Sequence, residues 1–152
     1  MIDFARAFDT VNHAILVPKL DKLNIPLFIK NWIILFLSNR TQVCKTNGVI
    51  SLRLPVNLSV VQGSGIGPSL YIIQESDLRT LSLSNLLMKY ADDTNLLVPC
   101  CTDVKIDQEF LNVQDWVKRN KMMLNSRQKL RKSFLDGPVR DAHLSYHPCY
   151  HL

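Results

Sequence analysis

The chain has 152 residues, is 47% hydrophobic and 20% charged, and carries a formal net charge of +5. That length supports one domain with a real core, and the composition excludes a disordered chain. Secretion and membrane insertion are not expected. Cys44, Cys100, Cys101 and Cys149 form no C-x-x-C pair or disulfide framework, Asp3 and Arg6 interrupt any leader, and the greasiest run, 27–37, is too short to span a bilayer. The expectation is therefore a soluble, intracellular protein of the cytoplasm, the nucleus or both.

Residues 1–4 read as the end of a strand. Ile15, Leu16, Leu20 and Leu23 recur at helical spacing, with Pro18 placed in the first turn and Asp9 as the cap at the helix start. Asn24, Ile25 and Pro26 break that helix, and a second runs over 27–37 with Phe28, Trp32, Leu35 and Phe36 as its core contacts. Segments 41–46 and 49–54 flank Asn47-Gly48, a strong hairpin signal. A further strand, 56–61, leads into the glycine-rich turn Gln62, Gly63, Ser64, Gly65, Ile66, Gly67. Pro68 suits the first turn of a helix carrying Leu70, Tyr71, Ile73 and Leu78.

Leu86, Leu87 and Met88 precede Tyr90, Ala91, Asp92 and Asp93, and Leu96, Leu97 and Val98 follow, which predicts strand, tight turn, strand. Asp103 is placed to cap a helix over 104–118 whose Ile106, Phe110, Val113 and Val117 share one face. Lys118, Arg119, Lys121, Arg127, Lys129, Arg131 and Lys132 then form a stretch without an acidic residue. Such a stretch is either a solvated face or a surface that tracks phosphates. A short strand is expected at 133–135 and an irregular tail over 133–152, and no internal repeat is present. His143, His147, Cys149 and His151 in that tail are zinc ligands by type, yet their crowding fits no structural zinc pattern.

The chemistry concentrates at Asp92 and Asp93. Two adjacent carboxylates at a turn repel one another, and a divalent cation is the usual remedy; an exposed acidic turn without function is the plainer alternative. Three features share a fixed order: Asp3 ending an apolar strand, a glycine-rich turn at Gln62 entering a helix, and the acidic pair in a hairpin. At "DFARAFDTVNH", "VVQGSGIGPSLY" and "KYADDTNLLVP", with a weaker match at "WVKRNKMMLNSRQK", the chain resembles the palm of reverse transcriptases from jockey-like, LINE-type (non-LTR) retrotransposons. The matching segments span 1–132.

The resemblance implies an α+β fold, an antiparallel palm sheet with helices packed on one face. It implies RNA-directed DNA polymerase chemistry, with an α-phosphoryl group passing from pyrophosphate to a primer 3′-hydroxyl between two divalent ions. Asp3, Asp92 and Asp93 would be the catalytic and metal-holding residues, Asp93 the looser ligand, with Mg²⁺ as cofactor and Mn²⁺ as its substitute. Phe8 would lie under the sugar and select deoxynucleotides, although by residue type alone it is also a plausible core aromatic. Gln62 and Gly63 would approach the incoming nucleotide and template base. Tyr90 would pack beneath the primer end, or serve as an ordinary strand aromatic. Lys118, Arg119 and Lys121 would contact nucleic acid. Arg6 stands where the family usually has lysine, as a phosphate contact or a solvated charge.

Two departures from the family pattern matter. The lysine offset counted from Leu124 and Asn125 lands on Gln128, with Lys129 one step later, so no general acid is assigned there. Relatives also carry fingers, a thumb and an endonuclease, which are expected from a larger polyprotein. The partners implied are an RNA template, a DNA primer and dNTPs, with no membrane. The isolated chain is expected to be inactive as a polymerase, and a catalytically inert, nucleic-acid-binding remnant is the alternative function.

Overall fold

A computed structural model describes residues 1–125. The strand at 133–135, the tail over 133–152 with its His and Cys residues, and Arg127, Gln128, Lys129, Arg131 and Lys132 lie outside the described residues. The architecture is a mixture of helices and small antiparallel sheets, an α+β arrangement.

The main sheet joins distant parts of the chain. Strand β1 (Ile2–Asp3) pairs antiparallel with β7 (Asp93–Leu97), and β7 pairs with β6 (Leu86–Tyr90), giving the order β1-β7-β6. Side chains alternate across a strand, so this register sorts them into two faces. Ile2, Phe4 and Thr94 are buried on the inner face, with Leu87 and Leu96 packed against the core. Tyr90, Met88, Leu86, Asp93 and Leu97 are exposed on the other. Among the described residues helices cover the inner face: the Phe4 ring lies 5.9 Å from that of Trp116 in α4 (Ile106–Arg119). On the same face Lys89 Nζ donates to the carbonyls of Glu75 at 2.5 Å and Leu78 at 3.0 Å, just past α3 (Gly67–Gln74).

Helix α1 (His13–Asp21) is capped by Asn12, whose Oδ1 accepts from the Ala14 amide at 3.0 Å, and not by Asp9. Asp9 instead lies in the turn that follows β1, its amide bonded to the Arg6 carbonyl. Because the helix starts at His13, Pro18 falls in its interior and removes one backbone donor there. Lys19 from α1 is buried, and its Nζ donates to the Gln74 carbonyl, Asp77 Oδ1 and Asn120 Oδ1 at 2.5, 2.7 and 2.6 Å. Burial lowers its pKa, and the Asp77 carboxylate opposes that shift.

Helix α2 (Leu27–Leu37) has the expected bounds and a different buried face. Ile33 and Leu37 are buried, Phe36 packs against the core, and Phe28, Trp32 and Leu35 are exposed. A helix this uniformly apolar offers no periodic contrast from which to choose a face. The Asn47-Gly48 hairpin forms as expected, with both residues at positive φ between β3 (Lys45–Thr46) and β4 (Val49–Ile50). Outside it, β2 (Thr41–Gln42) pairs with β5 (Leu54–Pro55).

Residues 56–61 do not form the expected strand. They make one isolated bridge, Leu58 to Asn12, and Ser59 at φ 82 breaks the extension. Pro68 does enter the first turn of α3, while Leu78 is buried beyond its end. Helix α4 starts with Lys105 as its N-cap; Asp103 accepts from the Ser82 hydroxyl instead. Its buried face includes Glu109 beside Val113, Trp116 and Val117. That carboxylate accepts from the amides of Leu81 and Ser82 and from Asn85 Nδ2, at 2.8–3.0 Å.

Candidate active site

The register of the main sheet sets Asp3 directly opposite Asp93. Directly opposed residues in an antiparallel pair project to the same face, so both carboxylates belong to the open side of the sheet. Asp92 precedes Asp93 in the turn that joins β6 to β7. The two-residue turn is formed by Ala91 and Asp92, with Ala91 at φ 51, a conformation that tightens the hairpin and costs a non-glycine residue some strain. Residues 3, 92 and 93 therefore meet at one end of one sheet.

Electrostatics places Asp3 and Asp92 around a common neighbour. The Tyr71 phenol is buried, and its pKa is pushed far up: first by desolvation, then by its hydrogen bond to Glu75 and the charges of Glu75, Asp92 and Asp3. Tyr71 Oη donates to Glu75 Oε1 at 2.6 Å. Burial raises the Glu75 pKa, the Tyr71 hydrogen bond and Lys89 lower it, and Asp92 raises it again. Behind the acidic end thus lies a buried phenol–carboxylate pair that senses its charge.

Phe8 belongs to this assembly. Its ring stacks on Tyr71 with centroids 4.8 Å apart, and its carbonyl accepts from the Val60 amide at 2.9 Å. The Val60 contact draws in the loop that carries Gln62 and Gly63. Gly63 has φ +79 with open space where a Cβ would stand, so glycine is required there by backbone conformation rather than by crowding. Gly67, at the start of α3, is crowded: a Cβ would meet Ser64 Oγ at 3.1 Å and the Val61 carbonyl at 3.2 Å. Tyr90 is 83% exposed on the open face beside Asp93, so it serves as no core aromatic.

Lys118 and Arg119 close α4 and are exposed. Lys118 Nζ lies 3.5 Å from Asp115 Oδ1, and Arg119 Nε donates to the Asp115 carbonyl at 3.4 Å. Lys121, at φ 53, leads into the segment that runs beside β1, where Met123 accepts from the Ala5 amide at 2.8 Å. Three roles near the acids were not indicated by sequence: Tyr71 as the backing of Phe8, Glu75 as its partner, and Asn125, which the weaker motif match includes, as a contact of Asp3. Tyr71 and Glu75 stand four apart, a spacing that helical geometry does offer as a signal. The Asn125 contact has no local signal; its Nδ2 donates to Asp3 Oδ2 at 3.0 Å from 122 positions away.

Among the described residues no three His, Cys, Asp or Glu side chains gather closely enough to cage a cation by themselves. Asp3 and Asp92 would supply hard carboxylate oxygens, and oxygens from beyond these two residues would have to complete a shell. That donor set fits Mg²⁺, which keeps several waters and is held through one or two carboxylates plus substrate phosphates. No helix among the described residues is long and apolar enough to cross a membrane.

Comparison with known proteins identifies the family of the chain. Residues 1–133 match the family described as reverse transcriptase (RNA-dependent DNA polymerase). The chain is 30% identical over 147 residues to the RNA-directed DNA polymerase from mobile element jockey of Drosophila melanogaster, covering 88% of this chain and 16% of that protein. It is 30% identical over 144 residues to the probable RNA-directed DNA polymerase from transposon BS of the same fly, again covering 88% and 16%. The chain therefore spans 16% of the length of these curated relatives. Both relatives bear out the jockey-like resemblance read from the motifs, and the chain belongs to the reverse transcriptase (RNA-dependent DNA polymerase) family.

Proposed function

We propose that residues 1–132 are a palm fragment of an RNA-directed DNA polymerase from a non-LTR mobile element. The cross-strand pairing of Asp3 with Asp93, next to Asp92, carries this reading. It sets the acidic residues from the two ends of the motif series on one sheet end, as nucleotidyl transfer needs. Asp3 and Asp92 would hold Mg²⁺, or Mn²⁺ in its place, with Asp93 as a looser ligand. When bound, the cations supply Lewis-acid activation of the primer 3′-hydroxyl and neutralise charge on the phosphates.

The chain's own residues supply position and selectivity. Phe8, held against Tyr71, offers a flat ring under the sugar and leaves no room for a 2′-hydroxyl, which selects dNTPs. Gln62 and Gly63 border the nucleotide, where the glycine lets backbone approach closely. Tyr90 and the exposed apolar row of β6 form the floor for the primer end. Lys118, Arg119 and Lys121 contact the phosphates of an RNA template and DNA primer. Such work belongs in the cytoplasm, the nucleus or both, with fingers and thumb contributed by further segments of a larger polyprotein.

Binding of a primed RNA template by the chain, followed by fluorescence anisotropy with and without Mg²⁺, tests the reading. Mg²⁺ is expected to tighten binding of the wild-type chain and to leave Asp92→Ala unchanged. Salt-sensitive RNA binding indifferent to both Mg²⁺ and Asp92 would instead identify an inert nucleic-acid-binding remnant.

A further inference from the structure

Strand β1 is gripped from both sides. On one side it pairs with β7; on the other, Phe4 bridges to Leu124, the Ala5 amide donates to the Met123 carbonyl, and the Asn125 amide donates to the Asp3 carbonyl at 3.0 Å. Asn125 then makes a second contact with the same residue, its side-chain Nδ2 donating to Asp3 Oδ2 at 3.0 Å in a part-buried setting. One residue thus holds both the backbone and the carboxylate of Asp3.

We infer that Asn125 is a positioning residue for the Asp3 carboxylate, fixing its rotation for divalent-cation binding. The inference rests on the polymerase reading for the identity of the cation, while the contact itself does not. A carboxylate on a strand end can turn about two side-chain bonds, and a ligand must stop turning before it binds a metal well. A neutral amide is well suited to holding it, because it donates to Oδ2 and leaves the negative charge in place, where a lysine would cancel the charge that attracts the cation. The flanking pairing of 123–125 keeps the amide in register with Asp3, so the donor arrives with little ordering left to do.

The test has two arms on the full 152-residue chain. In nitrogen–proton correlation spectra without metal, the Asn125 side-chain amide protons are expected to exchange slowly with water, and Asp3→Ala should release them. Fast exchange in the wild type overturns the contact whatever the protein's function. In the second arm Mn²⁺ binding is followed by the loss of the free-ion paramagnetic resonance signal. Asn125→Ala should weaken binding about tenfold, at the lower end of what loss of a ligand-orienting partner costs. Asn125→Gln, which retains an amide donor, should recover part of it and serves as the informative variant if Asn125→Ala fails to fold. Mn²⁺ affinity that depends on Asp92 but is equal in wild type, Asn125→Ala and Asn125→Gln would overturn the positioning role alone. Affinity indifferent to Asp92 would overturn the metal site, and with it this role.

Discussion

Replacing Tyr71 with Phe separates the two contacts that this residue makes. The stack on Phe8, at 4.8 Å, survives; the hydrogen bond from Oη to Glu75 Oε1, at 2.6 Å, does not. Glu75 is 2% exposed, so water replaces the lost donor poorly. A hydrogen bond to a charged acceptor contributes about 1.5–3 kcal/mol, and one between neutral partners about 1 kcal/mol.

The cost must therefore grow with pH. Burial sets the folded pKa of Glu75 above its ordinary 4.5, so ionisation at that site subtracts stability as pH rises from 4.5 through the folded value. The Tyr71 hydrogen bond lowers the folded value and limits that loss. Without it, Tyr71→Phe should cost about 1 kcal/mol at pH 3.5, below the ordinary range that burial raises, and rise toward about 2 kcal/mol at pH 8 as the pH climbs. At about 2–4 °C per kcal/mol for a chain of this size, the pH 8 melting temperature should drop by about 4–8 °C. Urea denaturation at both pH values measures the difference. A variant within 0.5 kcal/mol (about the scatter of surface changes) of wild type at both would refute the buried pair. So would a cost that shrinks as pH rises.

Thr94 is fully buried on the inner face of β7, and its Oγ1 has no hydrogen-bond partner among the described residues. Thr94→Val keeps the β-branched shape, removes the stranded hydroxyl and should raise unfolding free energy by about 1 kcal/mol in urea titration. Lys121 closes α4 in the left-handed region at φ 53, with the Met122 amide bonded to Val117 and the Lys121 amide to Lys118, a Schellman arrangement that favours glycine. Lys121→Gly should add up to about 1 kcal/mol of stability while weakening RNA binding at low salt, as read by thermal melting and anisotropy.

Local chemistry made part of this structure legible. Asn47-Gly48 predicts its own hairpin because few residues tolerate the backbone that turn needs, and the bounds of α2 follow from Pro26 and the length of the apolar run. The meeting of Asp3 with the acidic turn came from matching whole motifs, since no periodicity links positions ninety apart. Other features stayed hidden for definable reasons. The apolar sides of α2 look alike in sequence, so which of Phe28, Trp32 and Ile33 goes inward is decided by tertiary packing. Glu109 looks like a solvated helix charge until the backbone amides of Leu81 and Ser82 close over it. Asn12 and Asp9 are both good caps by type, and the bridge from Asn12 to Leu58 favours the later one.

Strand β1 stands at the edge of the three-stranded sheet, with β7 on one side and the isolated Phe4–Leu124 bridge on the other, and it precedes both partners in the chain. During synthesis those residues leave the ribosome before either partner does. The β6–β7 hairpin can form locally, but its outer edge stays open until the amino-terminal segment threads in beside it. That segment in turn has no second neighbour until residue 125 has been made. Among the described residues the surroundings of Asp3 are consequently among the last features to assemble. A chain ending shortly before that point would keep the β1–β7 pair and lose the Phe4–Leu124 bridge and both Asn125 bonds to Asp3.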